Sequence, residues 1–126
     1  MAAPLFRLAD LAALKESATP ITTELSGLIG VESVHHAEIV KTLQAAILSG
    51  DAANVARQYC SPDMWGGSGS VADLILDRPG AQKRCLVLLS KLNSKFRDAG
   101  IECPRATQWT SVFDQWLEQG VFDSSE

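Results

Sequence analysis

The segment that organises the chain is MWGGSGS, residues 64–70, followed at once by the apolar run VADLIL, residues 71–76. Three of the nine glycines of the chain fall within four consecutive positions of this segment. Glycine adopts positive φ without steric cost and allows another backbone to approach closely. The segment therefore predicts a tight, irregular turn between two helical halves of the chain, with Ser70 and Asp73 forming a weak capping pair after it.

The same turn shares only its glycine content with a phosphate-binding loop. Backbone N–H groups at a helix start suit an anion, but the P-loop pattern needs a lysine after its last glycine, and none follows Gly69. A structural turn is the simpler interpretation. Trp65 then either plugs the turn onto the core, which is the simpler role, or anchors a partner.

Residues 64–76 also resemble the GGxGS(L/V)xDL motif of an uncharacterised family of small bacterial helical proteins, with Val71 at the position where leucine is usual. In that family a helix and a short "GD" helix precede the motif, and a leucine-rich helix follows it. Residues 39–49, 50–51 and 86–96 occupy these places here. The resemblance covers residues 34–99 and implies a stand-alone accessory protein. Some members resemble immunity proteins of secreted toxins, and no catalytic residues come with the motif.

Length, composition and charge narrow the class of protein. The 126 residues, 46% of them hydrophobic, match one globular domain. The net charge of −4 argues against non-specific nucleic-acid binding, which needs a basic surface, and is compatible with a basic protein partner. Neither a signal peptide nor an apolar stretch near the roughly 20 residues of a membrane helix is visible. We therefore expect a cytoplasmic protein with no nucleic-acid or membrane partner.

Helical periodicity dominates the rest of the chain. The predicted helices span residues 5–16, 20–29, 34–49, 52–60, 78–99 and 105–119. Residues 71–76 are predicted as helix in preference to strand, because a lone strand would have no partner. The expected fold is a single all-α domain, a compact bundle of five to six helices around a central glycine-rich turn. Residues 1–30 are an alternative looser N-terminal arm, and residues 121–126 are expected to fray.

Cysteine and histidine are the residue types here that could bind a metal or act in catalysis. Cys60, Cys85 and Cys103 show no CxxC spacing, so neither a disulfide framework nor a zinc site is expected. His35 and His36 are adjacent and point about 100° apart on a helix, which disfavours shared metal binding. A Cys60 nucleophile would need a histidine base from across the fold. The sequence thus predicts no metal and no cofactor. It leaves a small enzyme or ligand-binding domain, using the glycine-rich turn with Cys60 or His36, as an alternative.

With no catalytic set apparent, the favoured function is a cytosolic protein-binding module. Following the resemblance, its most concrete form is an immunity-type protein that occludes a cognate bacterial toxin with a basic surface. Tryptophans with acidic neighbours near the carboxyl end of the chain suit such an interface, although a place in the hydrophobic core is the simpler interpretation for them. The predicted partner-binding residues are Asp63, Trp65, Gly66, Gly67, Ser68, Asp73, Asp77, Trp109 and Trp116. A homodimer whose helices complete one another's core is a third alternative.

Overall fold

Helices account for all the regular structure in residues 8–121, the range that the computed structural model describes, with side chains from Leu11 onward. They are α1 (Leu8–Gly30), α2 (Val34–Ser49), α3 (Ala52–Tyr59), the single-turn α4 (Pro62–Trp65), α5 (Ala81–Asp98) and α6 (Pro104–Glu118). Helix α1 packs against α2 and α5, and α6 packs against α5. The predicted all-α class is confirmed. Across the described range, no helix combines the length and the apolar character that a bilayer-spanning segment requires.

The first helix continues through Pro20, where the sequence predicted a boundary between two helices; that boundary is wrong. Proline inside a helix costs about 3 kcal/mol, because it removes a hydrogen bond and crowds the preceding turn. The buried face nevertheless keeps its phase across Pro20: Leu14, Ala18, Leu25 and Ile29 are each at most 1% exposed. Burial of this continuous stripe outweighs the local cost of the proline.

Gln44 of α2 holds α1 through hydrogen bonds to residues on both sides of the proline. Its Nε2 lies 3.2 Å from the carbonyl oxygen of Thr19, 2.9 Å from Oγ1 of Thr22 and 2.6 Å from Oγ1 of Thr23. Within the segment that the sequence left open as a looser arm, residues 1–30, the described part, residues 8–30, is helical and held to α2 from its middle onward. Its first seven residues, and the tail after Val121, lie outside the described residues.

Helices α2 and α3 begin and end where the sequence predicts. Ser33 caps α2 by accepting a hydrogen bond from the His36 backbone N–H, and Gly50 ends the helix at φ +79°. Asp51 at once caps α3 through a 3.2 Å hydrogen bond from the Asn54 N–H. Local signals suffice here, because capping depends on residues within one turn of each other.

Residues 71–76 form neither the predicted helix nor a strand; they are a series of turns and extended backbone. Turn hydrogen bonds pair the Asp73 and Leu74 N–H groups locally, and side chains from outside the stretch pair the N–H groups at its end. The Leu76 N–H donates to Oε1 of Gln82 across 2.6 Å, and the Asp77 N–H donates to Oε1 of Glu32 across 2.7 Å. A helix would pair such groups internally, so these tertiary contacts replace it.

The helix α5 consequently begins later than the predicted residue 78. Gly80 stands before it at φ +77°, a left-handed conformation that favours glycine, and Ala81 is the first helical residue. Arg78 remains in the loop, where its Nε donates to Glu32 Oε2 across 2.8 Å and its Nη2 donates to the Leu28 carbonyl. The loop is thereby tied to the end of α1.

An aromatic cluster, crossed by one chain of hydrogen bonds, forms the interior between α3 and α6. Tyr59 stacks on Phe96 with ring centres 3.7 Å apart and meets Trp65 edge-on at 5.6 Å. The Tyr59 hydroxyl donates to Oδ1 of Asn93 across 2.6 Å, and Asn93 Nδ2 donates to Oγ1 of Thr110 across 3.2 Å. The polar side chains of Tyr59, Asn93 and Thr110 are thus paired with one another, which avoids the cost of burying them alone, whereas Nε1 of Trp65 is buried without a hydrogen-bond partner.

Candidate functional site

The glycine-rich segment is a closed loop rather than an open linker. The Val71 N–H donates to the carbonyl of Asp63, and the Ala72 N–H donates to that of Met64, each across 2.9 Å. The chain leaves the end of α4 and returns beside it. The loop therefore has a defined shape fixed by its own backbone.

Ser70 holds the loop from the inside. It is 2% exposed, and its Oγ accepts from the N–H groups of Gly67 at 3.3 Å and Asp73 at 3.2 Å. Only half of the predicted capping pair forms, because the Ser70 N–H donates to the Gly67 carbonyl and not to the Asp73 side chain. Ser70 closes a turn, however, and no helix follows.

Three glycines are needed for the geometry of the loop. A Cβ at Gly66 would stand 2.5 Å from the Pro62 carbonyl oxygen, closer than real Cβ atoms come to backbone. Gly67 and Gly69 have φ values of +111° and +86°, which L side chains rarely adopt. The glycines predicted to bind a partner thus have a structural reason to be present.

Trp65 belongs to the core, which corrects its assignment to a binding surface. The side chain is 1% exposed, so a partner cannot reach it. Its carbonyl faces α6 and accepts from Nε1 of Trp109 at 2.9 Å and from Nε of Arg105 at 3.4 Å. Arg105 also donates from Nη2 to the Gly66 carbonyl at 3.0 Å. The loop is therefore docked on α6 through its backbone oxygens.

Hydrogen bonds of His36 hold the other side of the loop. Its Nε2 lies 3.1 Å from the carbonyl oxygen of Gly69, and its Nδ1 lies 2.6 Å from Oγ of Ser33. A carbonyl oxygen can only accept, so Nε2 carries a proton and, in the neutral ring, Nδ1 accepts from the Ser33 hydroxyl. Both ring nitrogens are engaged in holding structure.

An apolar groove of about 220 Å³ opens between α6 and the stretch that follows the loop. Its lining consists of Ala72, Asp73, Leu74, Ile75, Gln82, Trp109, Phe113 and Trp116. Ile75 is 75% exposed, while the two tryptophans are half-buried. The structure thus brings together three predicted binding residues, Asp73, Trp109 and Trp116, although they are distant in sequence.

The remaining predicted residues lie elsewhere. Asp63 lines a separate shallow pocket with His35 and Gln58. Ser68 and Asp77 are exposed but are not among the groove residues. The predicted acidic surface is therefore divided among different parts of the molecule.

Sequence reasoning missed Ile75, which it placed in a short helix without assigning it to a binding surface. Three successive apolar residues, Leu74, Ile75 and Leu76, cannot all face one core, and that was the available signal. In the structure Leu76 is buried and Ile75 points outward. An outward isoleucine beside two tryptophans is the kind of apolar patch that marks interaction sites.

A second pocket, of about 300 Å³, has a cysteine in its lining. It is lined by Cys60, Ser61, Pro62, Trp65, Gly66 and Arg105. Cys60 is exposed at the end of α3, and Cys103 is 4% exposed at the residue before α6. Both thiols are free. No spacing along the chain indicated this pocket, because Cys60 and Arg105 lie far apart in sequence.

The charge of the pair is distributed unevenly. The hydrogen bond from Cys60 lowers the pKa of the Cys103 thiol against the opposing effect of burial, and the backbone N–H groups of Ala106 and Arg105 add to the lowering. The same hydrogen bond, burial and the negative charge of Cys103 raise the pKa of Cys60. The two pKa directions belong to the pair as a whole, and the backbone N–H groups at the start of α6 favour the charged form of Cys103.

The enzyme alternative required a pocket that joins Cys60 or His36 to the glycine-rich turn. The Cys60 pocket does reach Gly66. His36, however, is engaged with the carbonyl of Gly69 and does not line that pocket. Among the described residues, no three His, Cys, Asp or Glu side chains are grouped so as to hold a metal ion.

Comparison of the chain with models of known families, with curated proteins and with solved structures gave no significant match. The resemblance of residues 64–76 to the bacterial motif family stays a prediction.

Proposed function

We propose that this chain is a protein-binding module that takes an apolar side chain of its partner into the groove between α6 and residues 72–75. The observation that carries the proposal is the placement of Ile75, 75% exposed, against Trp109 and Trp116. Burying a large apolar side chain contributes about 1.5–3 kcal/mol. Tryptophan is also enriched among the residues that dominate binding energy.

Charge indicates the chemistry of that partner. Asp73 lies in the groove lining, and no lysine or arginine does. The chain as a whole carries a net charge of −4. Complementary charge speeds association and excludes wrong partners. The partner we infer presents an apolar side chain flanked by basic residues.

The most concrete form of this function is an immunity-type protein that occludes a bacterial toxin. That form depends on the motif resemblance of residues 64–76. Occlusion needs a shaped and charged surface and no reaction chemistry. A rigid loop docked on α6 beside an exposed apolar groove is suited to it.

The test is coexpression with the product of the adjacent gene, followed by affinity purification and a measured Kd. Ile75→Lys is expected to weaken binding at least tenfold, which corresponds to about 1.4 kcal/mol. Asp73→Lys is also expected to weaken binding, and the loss of affinity should be larger at low salt than at high salt. Val34→Lys is the matched control, since Val34 is 70% exposed and outside the groove lining.

Binding that survives Ile75→Lys with the fold intact would remove the groove from the proposal. If the neighbouring product is toxic, coexpression of wild-type protein is expected to restore growth and Ile75→Lys to fail. A sedimentation experiment on the purified chain distinguishes the homodimer alternative. A dimer that Ile75→Lys dissociates would assign the groove to a second copy instead.

The enzyme alternative is favoured by one observation, the pocket that contains Cys60 and Gly66. Its test is loss of a measured turnover or of ligand binding in Cys60→Ser, with His36→Gln as a second variant. If both variants keep the turnover or the ligand binding, the enzyme alternative is excluded and the protein-binding proposal remains.

A further inference from the structure

We propose that the pocket between Cys60 and Arg105 binds a small organic carboxylate. Its volume is about 300 Å³. The pocket is distinct from the groove, because the two share no lining residue. The inference therefore stands apart from the proposed protein-binding function.

The backbone of the glycine-rich loop holds the Arg105 guanidinium in place. Its Nη2 donates to the Gly66 carbonyl at 3.0 Å, and its Nε donates to the Trp65 carbonyl at 3.4 Å. A guanidinium carries five N–H donors, so donors on Nη1 and Nη2 are left for a ligand. Because the side chain is already fixed, binding a ligand there loses less conformational entropy than ordering a free arginine would.

The positive charge of Arg105 has no carboxylate beside it among the residues of this pocket, since none of the lining residues is acidic. In the part of the chain that the structure describes, the ion pairs join glutamates to other lysines and arginines. Arginine recognises a carboxylate through two parallel hydrogen bonds. The pocket thus offers a local positive site on a chain of net charge −4.

Trp65, in the wall of the same pocket, has an unpaired N–H group. The side chain is 1% exposed, and its indole Nε1 is buried without a hydrogen-bond partner. The large majority of buried polar groups in proteins are paired. A carboxylate has two acceptor oxygens, so one can pair with Arg105 while the other accepts from Nε1. The indole has to shift for this contact, because Nε1 is covered.

The other lining residues indicate the size and body of the ligand. Ligand pockets in proteins span about 300–1,000 Å³, so this one suits a small molecule. Pro62 and the ring of Trp65 offer apolar surface for a short aliphatic or aromatic body. Ser61 lies beside them, and its side chain makes no capping hydrogen bond to α4. Its hydroxyl is a further donor for the ligand.

The experiment titrates the 15N-labelled full chain with benzoate and follows the indole N–H signals of its three tryptophans by NMR. Benzamide, a neutral molecule of nearly the same shape, is the matched ligand, and chloride holds the ionic strength constant. Benzoate is expected to shift the Trp65 signal to saturation and to leave the Trp116 signal of the groove in place. Benzamide is expected to bind about tenfold more weakly, because it lacks the charge that pairs with Arg105.

A variant and a chemical probe give independent readouts. Arg105→Lys keeps the charge but loses the planar fork, so it is expected to weaken benzoate binding about tenfold. Arg97→Lys is the matched control, since Arg97 does not line the pocket. Benzoate is also expected to slow alkylation of the exposed Cys60 by iodoacetamide, which chloride at the same ionic strength should not do.

Three results would overturn the proposal. They are a Trp65 signal that benzoate does not shift, benzamide binding as tight as that of benzoate, and unchanged benzoate affinity in Arg105→Lys. The comparison of the two ligands uses the wild-type chain, so it decides the matter even if Arg105→Lys does not fold.

Discussion

The indole Nε1 of Trp109 donates a 2.9 Å hydrogen bond to the backbone carbonyl of Trp65. One tryptophan is half-buried in the groove and the other is 1% exposed in the core. Together with the two hydrogen bonds from Arg105, this contact joins the groove wall on α6 to the start of the glycine-rich loop. The backbone oxygens of the loop therefore help to hold α6 in place.

Trp109→Phe is expected to lower the free energy of unfolding by about 0.5–1.5 kcal/mol, the net contribution of an intramolecular hydrogen bond. The phenyl ring keeps much of the apolar contact, so loss of the N–H dominates. Urea denaturation measures the change. Val112→Ala on the same helix, at a position 38% exposed, is the control and should change stability by less than about 0.5 kcal/mol. Equal effects of the two variants would contradict the assignment.

Two glycine-to-alanine variants should have opposite effects. Gly66→Ala places a Cβ 2.5 Å from the Pro62 carbonyl oxygen and should lower the melting temperature. Gly27→Ala lies inside α1 with nothing within 4 Å of the new Cβ. It should raise stability by up to about 1 kcal/mol, because alanine favours the helix. Thermal unfolding of both variants measures this, and a stabilising Gly66→Ala would show that the loop relaxes freely.

Tyr59→Phe should be among the more costly conservative substitutions. It removes the donor to Asn93, which is 3% exposed, and leaves a buried amide oxygen unpaired. The expected loss is about 1–3 kcal/mol in urea denaturation. Ser90→Ala, which removes an exposed hydrogen bond to Asp114, is the control and should cost far less. A neutral Tyr59→Phe would mean that water replaces the hydroxyl.

The cysteine pair should make stability depend on pH in reducing buffer. The pKa of Cys103 is lowered in the native state, so the unfolded chain holds a proton that the native protein has lost. Stability from this group therefore rises with pH between its native pKa and the ordinary thiol value of about 8.5, and is absent below that interval. The groups facing it are Cys60, Tyr59 and Arg105.

Above the ordinary thiol value the slope should reverse. The pKa values of Cys60 and Cys85 are raised, so the native state then holds protons that the unfolded chain loses. Urea titrations at several pH values, with the Cys103→Ser curve subtracted, isolate the contribution of Cys103. A difference that does not vary with pH would contradict the shifted pKa.

Local sequence determined much of this protein. Caps at Ser33 and Asp51 and the glycine at Gly50 set the ends of α2 and α3, because each acts within one helical turn. Periodicity gave the all-α class and the approximate extents of α5 and α6. Gly67 and Gly69 marked an irregular turn through their freedom at positive φ.

Tertiary structure decided the rest, since it depends on contacts between distant residues. Burial of a continuous stripe carried α1 through Pro20 against local preference. Glu32 and Gln82 satisfied the backbone after the loop and so displaced the predicted helix over residues 71–76. The groove around Ile75 and the pocket that joins Cys60 to Arg105 arise only when separate elements pack, and no spacing along the chain encodes them.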